Sequence, residues 1–178
     1  MAFMDTENAI TSRLASILNL PLTIARDAGN MKNFQFGAIR PHPSGKGTVG
    51  SFALHIQCPW RIVATDHIIT GSTDHYQPPS EGADVNEDDP LHGNLQRLHL
   101  RQLFGGYDPE TRSLINEQNR LVVEAVHADR YGGIGLDLSG GFRLEVFPDG
   151  TDAEDWRFFS PGDEDHFVVA GGQIISGG

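Results

Sequence analysis

Histidine and aspartate recur together in this sequence, and their spacing decides whether they could do chemistry. His127 and Asp129 are separated by one residue, so on a strand they would share a face and could chelate a metal or form an acid–base pair. A metal site needs three or four ligands, however, and no nearby residue completes the set. In the dipeptides Asp66-His67, Asp74-His75 and Asp165-His166, adjacent side chains diverge in an extended chain. We therefore expect no metal site and no catalytic residues from these pairs.

The only cysteine, Cys58, follows His55 at a spacing that zinc sites also use. On a strand these two positions point to opposite faces, so the pattern predicts a core cysteine and a surface histidine. A lone cysteine excludes an internal disulfide and every zinc pattern with several cysteines. The start of the chain lacks a signal peptide, and no apolar run is long enough to span a membrane. These features together predict a cytoplasmic protein.

Other chemical motifs are incomplete. The glycine-rich stretch 131–135 lacks both the spacing and the following helix of a phosphate-binding loop, and no serine lies in a nucleophile elbow. The carboxylates of residues 149–155 miss the order of a calcium-binding loop, so a solvated turn is the better interpretation. No cofactor is expected.

Two tryptophans are each followed by arginine, as Trp60-Arg61 and Trp156-Arg157. On a strand this arrangement places tryptophan on one face and arginine on the other, which predicts a core tryptophan with a surface arginine. If either tryptophan were exposed, the pair would be a natural hot spot for a protein partner.

The charge of the chain is concentrated in two segments. The 178 residues contain 24 acids and 13 bases, for a net charge of −11, which argues against nucleic acid or an anionic membrane as a partner. Residues 71–93, here called the acidic loop, carry −6, and residues 149–165, the second acidic segment, also carry −6. The acidic loop includes Glu87, Asp88 and Asp89 and is rich in proline and glycine, which predicts a long surface loop.

The hydrophobic pattern predicts one α+β domain over residues 1–178. Apolar residues at helical spacing over 6–18 predict an N-terminal amphipathic helix with Asp5 or Thr6 as its cap. Residues 51–58 alternate like a half-buried antiparallel strand, with 33–40 as a hairpin partner. Pro59 interrupts the ladder, which 60–64 could resume at an edge or after a bulge. The helix is expected to pack on a largely antiparallel sheet of about seven or eight strands.

The last third of the chain gives the clearest strand pattern. Short β-favouring runs separated by turn residues predict strands at 121–128, 133–139, 142–147, 155–159 and 166–170. Gly140-Gly141 indicates a tight hairpin that places the apolar residues of 134–138 and 142–146 on one face. Residues 95–104 after Asn94 fit a capped helix, although Leu98 and Leu100 also alternate as in a strand.

The strings FALHIQCPWRIV, GGFRLEVFPDG and EDWRFFSPGDEDHFVVAGG resemble small bacterial proteins classed as domains of unknown function. Some proteins of that kind are immunity partners in polymorphic toxin systems. The resemblance covers roughly residues 48–175 and rests on strand and turn residues. It implies a cytoplasmic, non-catalytic bacterial protein and supplies no catalytic residues.

Three functional hypotheses follow. The first is a non-enzymatic, immunity-like module that meets a basic protein partner with its acidic segments, against the alternative that these segments only maintain solubility. The second is a small-ligand binder or hydrolase-type enzyme, which would need at least three charged side chains around one pocket. The residues available for that pocket are His55, Arg61, His67, His99 and Arg101. The third is a homodimer formed through a sheet edge or the Trp60 region.

Overall fold

The computed structural model describes residues 5–118 and 120–177, which form an α+β domain with mainly antiparallel sheets. In chain order the strands are β1 (Leu22–Ala28), β2 (Met31–Phe36), β3 (Arg40–Pro41), β4 (Thr48–Val49), β5 (Phe52–Ile56), β6 (Trp60–Val63), β7 (Ile68–Gly71), β8 (Gly106–Asp108), β9 (Ser113–Ile115), β10 (Val123–Ala128), β11 (Ile134–Leu138), β12 (Phe142–Val146), β13 (Glu154–Phe159), β14 (Phe167–Ala170) and β15 (Gln173–Ser176).

The N-terminal helix α1 runs over Thr6–Leu14 and continues as a 3-10 turn over Ala15–Ile17. Asp5 caps it by accepting a hydrogen bond from the Asn8 amide at 2.8 Å. Its buried side chains, Ile10 and Leu14, face the core, and the helix packs against β10. The predicted helix is confirmed, with its last turn tightened into 3-10 geometry.

The second helix, α2, runs over Leu95–Phe104. The Asn94 side chain accepts a hydrogen bond from the Arg97 amide at 2.8 Å, and Gly105 ends the helix with a positive φ of 88°. Leu100 and Phe104 are buried on one face of this helix. The capped helix is therefore confirmed, and the strand alternative for these residues is wrong. Neither α1 nor α2 is long and apolar enough to cross a membrane.

The larger sheet has eight strands in the order β15-β14-β13-β5-β2-β1-β9-β8, and the smaller has five in the order β10-β11-β12-β6-β7. Strands β3 and β4 form a separate ribbon. The eight-stranded sheet matches the predicted size, but the smaller sheet is an addition that the sequence pattern did not predict. The predicted β11–β12 hairpin is confirmed, because Ile134 pairs with Val146, Leu136 with Leu144 and Leu138 with Phe142.

The two sheets pack face to face around one core. The rings of Phe34 in β2 and Trp60 in β6 meet edge to face, with centroids 5.1 Å apart. The chain crosses between the sheets at residues 57–59, so β5 ends at Ile56 in the larger sheet and β6 begins at Trp60 between β12 and β7 of the smaller one. The amides of Gln57 and Cys58 hold this crossing by donating to the Asp155 carbonyl at 2.8 and 3.2 Å.

Candidate functional site

The acidic loop leaves β7, forms a short 3-10 helix over Ser72–Tyr76 and then runs without strand or α-helix to Asn94. This confirms the predicted surface loop. The loop is nevertheless tightly folded, because a side chain at Gly93 would collide with the carbonyl oxygens of Asn86 and Asp89. The Asn86 amide also donates to the Gly93 carbonyl at 2.8 Å, which closes the end of the loop on itself.

Arg97 of α2 fastens this loop to the body of the protein. Its Nη1 donates to the carbonyl oxygens of Asn86, Glu87 and Asp89 at 3.3, 2.9 and 2.9 Å. Its Nε donates to Asp27 Oδ2 in β1 at 3.0 Å. One guanidinium thus donates hydrogen bonds to three loop carbonyls and to one carboxylate. These bonds hold the backbone of the loop against α2 and β1.

The three acidic residues singled out in the loop have different roles. Asp89 Oδ1 accepts hydrogen bonds from the amides of Leu91 and His92 at 3.0 and 3.1 Å, which lowers the pKa of this carboxyl. Glu87 and Asp88 are exposed, and within residues 5–118 and 120–177 their carboxylates form no ion pair. Asp89 therefore holds the turn, while the side chains of Glu87 and Asp88 are exposed to solvent.

Several acidic residues of the second acidic segment make contacts that stabilise the fold, unlike Glu87 and Asp88 of the acidic loop. Asp155 is buried and accepts a hydrogen bond from the Gly172 amide at 2.8 Å, and burial raises the pKa of its carboxyl. Glu154 pairs with Arg157 at 2.6 Å, and Asp165 pairs with Arg13 of α1 at 3.0 Å. In the part of the chain that the structure describes, no hydrogen bond or ion pair joins this segment to the acidic loop. The acidic loop is therefore the better candidate for a binding surface.

A groove of about 860 Å³ crosses the outer face of the smaller sheet. Its charged side chains come from adjacent strands: Arg61 donates to Glu145 Oε2 at 2.9 Å, and Arg143 lies over Gly135, in the space that a side chain there would fill. Next to these, His127 Nε2 lies 2.8 Å from Asp137 Oδ2. The groove is therefore lined by two guanidinium groups and by His127, whose partner Asp137 lies outside the lining, and sequence reasoning identified only Arg61 of these as a binding residue.

Two exposed apolar side chains border the same groove. Ile68 is 57% exposed and Phe147 is 67% exposed, and both line it. A ligand in this groove would therefore meet apolar side chains beside the charged ones.

The two tryptophans are core residues. Trp60 is 5% exposed and Trp156 is fully buried, so neither offers the exposed hot spot considered for the Trp-Arg pairs. Trp156 stacks on Phe167, with centroids 5.7 Å apart, and its Nε1 donates to the Gly132 carbonyl at 2.8 Å. The neighbouring Arg61 and Arg157 lie on the opposite faces of their strands, as the alternation predicted.

The predicted convergence of His55, Arg61, His67, His99 and Arg101 on one pocket is wrong. Only Arg61 lines the groove. The His99 ring bonds the Ile69 carbonyl at 2.6 Å, and Arg101 donates to the Gly105 carbonyl at the end of its own helix. His67 pairs with its exposed neighbour Asp66, and His55 lies on the larger sheet. The set does not converge because its members lie on different sheets and helices.

His127 and Asp129, which could have formed a pair, are also separated in their roles. His127 bonds Asp137 instead, and Asp129 Oδ1 accepts from the amides of Tyr131 and Gly133 at 2.8 and 2.9 Å, which holds the turn before β11.

Cys58 is buried, and burial, with the charge of Asp155, raises the pKa of its thiol to about 12. Among the residues that the structure describes, no group of three or more His, Cys, Asp and Glu side chains could hold a metal.

His55 gives a testable pH dependence. Its ring meets the Phe159 ring edge to face at 4.8 Å, and burial, together with the charges of Arg157 and His166, lowers the pKa of His55 to about 4. In the unfolded chain the pKa of His55 has its ordinary value near 6.5. As the pH falls, the unfolded chain therefore takes up a proton at a higher pH than the folded protein does. We therefore expect the stability that depends on neutral His55 to be complete above about pH 6.5 and to be lost as the pH falls towards about 4.

Urea unfolding as a function of pH measures this effect, with the imidazole titration followed by NMR. The variant His55→Gln should show a flatter stability profile over that range than the wild type, whereas His92→Gln, at an exposed histidine, should not. An imidazole of His55 that titrates at the ordinary histidine pKa would contradict the prediction.

The chain matches no known family model, no curated protein and no solved structure.

Proposed function

We propose that this protein is a non-enzymatic, immunity-like binding module that meets a basic protein partner in the bacterial cytoplasm through the acidic loop. The observation that carries the proposal is the attachment of the loop by Arg97, which bonds three backbone carbonyls of residues 86–89 while leaving the side chains of Glu87 and Asp88 exposed. A carboxylate display that is already fixed costs less conformational entropy on binding than a disordered acidic tail would. Charge complementarity with a basic face would then speed and orient association.

Simple solubility does not require this construction. A loop whose only task is to repel other molecules needs charge but no defined backbone. The shape of the acidic loop is fixed by the partly buried guanidinium of Arg97 and by two side chains that cap its turns, Asn86 and Asp89. This favours a surface that is shaped for a partner.

The partner candidates are the products of neighbouring genes, each titrated against the full chain by calorimetry. The test variant is Glu87→Gln with Asp88→Asn, which leaves the turn-forming Asp89 unchanged. The matched control is Asp163→Asn with Glu164→Gln, which removes the same charge from exposed positions of the second acidic segment. We expect a basic product to bind, with affinity that falls as salt rises and that drops about tenfold or more in the test variant only. Equal binding by both variants, or no binding by any basic product, would overturn the proposal.

A second candidate function is a small-ligand binder or hydrolase-type enzyme that uses the groove on the smaller sheet. It is favoured by the His127–Asp137 pair at 2.8 Å, since a carboxylate that orients a histidine is how a general base is commonly held. Hydrolysis of an activated ester at a rate that disappears in His127→Gln, and not in His92→Gln, would support this function. A rate equal to that of free imidazole in solution would remove it.

The third candidate is self-association, in which the partner is a second copy of the chain. With Trp60 buried, the surface left for a homodimer is a sheet edge such as β15, where Ile175 is exposed. Light scattering of the free protein decides this directly: a dimer that Ile175→Asp converts to a monomer would support edge pairing, and a monomer at high concentration would exclude it.

A further inference from the structure

A second pocket lies at the turn of the β1–β2 hairpin, apart from the groove on the smaller sheet, and the acidic loop forms part of its wall. It measures about 560 Å³. The 3-10 helix over Ser72–Tyr76, helix α2 and the segment before β9 close around it. The charged side chains in its lining are Arg26, Asp27, Lys32, Glu87, Arg97 and Arg112.

Lys32 is the unusual member of this set, because its side chain points inward between the two sheets. It lies on the same face of β2 as Phe34, it is 4% exposed, and its ammonium lies 6.0 Å from the Trp60 ring centroid. A lysine is rarely buried to this extent unless its charge is paired.

The pairing available to Lys32 is shared with a second cation. Lys32 Nζ donates to Asp27 Oδ1, while Arg97 Nε donates to Asp27 Oδ2 at 3.0 Å. One carboxylate thus pairs with two cations, the buried Lys32 and the partly buried Arg97, and both of its oxygens are occupied. Lys32 Nζ carries three protons, and Asp27 is its one hydrogen-bond acceptor within the described residues.

The electrostatics of this cluster are therefore unbalanced. Burial lowers the pKa of Lys32, and the charge of Arg97 lowers it further, against the opposing effect of Asp27. Arg26 and Arg112 add two more positive charges to the lining of the pocket, and only Glu87 adds a negative one. In a chain with a net charge of −11, this pocket is a local region of excess positive charge, and an uncompensated buried cation is costly.

We propose that this pocket binds an oxyanion, the phosphate or carboxylate group of a small molecule, with Lys32, Arg97 and Arg112 as its cationic contacts. Ammonium and guanidinium groups are the side chains that recognise such anions, and a bound anion supplies the negative charge that Asp27 alone does not. Tyr76, which is exposed at the rim, provides an aromatic wall for the rest of such a ligand. The pocket and the proposed partner surface share Glu87, which lines the pocket, but the charge of Glu87 acts in opposite directions, because it would attract a basic partner and repel an anion.

Calorimetric titration of the full chain at constant ionic strength tests the proposal. The probes are inorganic phosphate and citrate in separate arms, with chloride as the reference anion. We expect saturable binding of at least one probe, and the arm that binds more tightly identifies the class of anion. Lys32→Met, a substitution that suits a buried position, should weaken binding by about tenfold or more, and Lys46→Met, at an exposed lysine, should leave it unchanged.

A second variant keeps the test decisive if Lys32→Met disturbs the fold. Arg112 is exposed and makes one hydrogen bond, to the Asp88 carbonyl at 3.3 Å, so Arg112→Gln is expected to fold normally and still to weaken binding. Saturable binding that both variants retain at full strength would overturn the proposal, as would binding of neither phosphate nor citrate beyond the chloride reference. The double variant Glu87→Gln with Asp88→Asn removes the carboxylate at the rim of this pocket, so it should bind the anion at least as tightly as the wild type while losing affinity for a basic partner. The two proposals therefore fail separately.

Discussion

Replacing Arg97 with methionine is expected to lower the free energy of unfolding by about 2 to 4 kcal/mol, since hydrogen bonds to charged groups each contribute about 1.5 to 3 kcal/mol and buried pairs are costly to break. The substitution keeps a long apolar stem but removes the bonds to Asp27 and to three carbonyls of the acidic loop. Lys32 remains beside Asp27 and limits the loss. Denaturant unfolding measures the change.

The same variant should release the acidic loop locally. The amides of Asn86, Asp88 and Asp89 are hydrogen-bonded within the loop, and we expect them to exchange with deuterium much faster once its backbone is no longer held. Arg112→Met is the matched control, because Arg112 is exposed and makes one long bond to the loop; its effect should stay within about 0.5 kcal/mol. Unchanged exchange at these amides in Arg97→Met would show that the guanidinium does not hold the loop.

Trp156→Ala is expected to have the largest effect on stability, about 3 to 5 kcal/mol, the usual cost of removing a large aromatic side chain from a core. Trp156 is fully buried, stacks on Phe167 and donates to the Gly132 carbonyl. Its removal leaves a cavity between β13 and β14 and takes away the donor to that buried carbonyl. Thermal or denaturant unfolding, followed by circular dichroism, gives the value.

Trp156→Phe separates the two contributions. The smaller ring can keep the stacking on Phe167 but has no donor for Gly132, so a loss of about 1 to 3 kcal/mol is expected, the cost of leaving a buried acceptor unsatisfied. A Trp156→Ala variant that is no less stable than Trp156→Phe would mean that packing at this position contributes little, contrary to its complete burial.

Local patterns in the sequence predicted much of the fold. The alternation over 51–58 and the turns of the last third correspond to β5 and β11–β14. The division into two sheets was not predicted, because Pro59 has the same local effect whether a strand bulges within its sheet or crosses to another. Strand β1 was missed for a similar reason: Thr23 and Gln35, which are buried, interrupt the apolar pattern of the β1–β2 pair.

The candidate sites depend still more on contacts between distant residues. Composition was enough to find Glu87 and Asp88, because six acids without a base are visible in the sequence itself. The importance of Arg97 was not visible, since its partner Asp27 lies 70 residues away. Lys32 was one of two lysines in an arginine-rich chain, and only the packing of β2 against β6 shows that it is buried.

The crossing of the chain between the sheets also affects how the protein is made. Strands β5 and β6 are translated early, but each pairs with a strand from the last third of the chain. Strand β13 pairs with β5, and strand β12 pairs with β6. Until residues 142–159 leave the ribosome, one edge of each strand is unpaired beside apolar side chains, a condition that favours aggregation. The acidic loop is synthesised during this interval and adds a charge of −6 to the incomplete chain. Repulsion between these charges opposes the association of nascent chains through the unpaired edges.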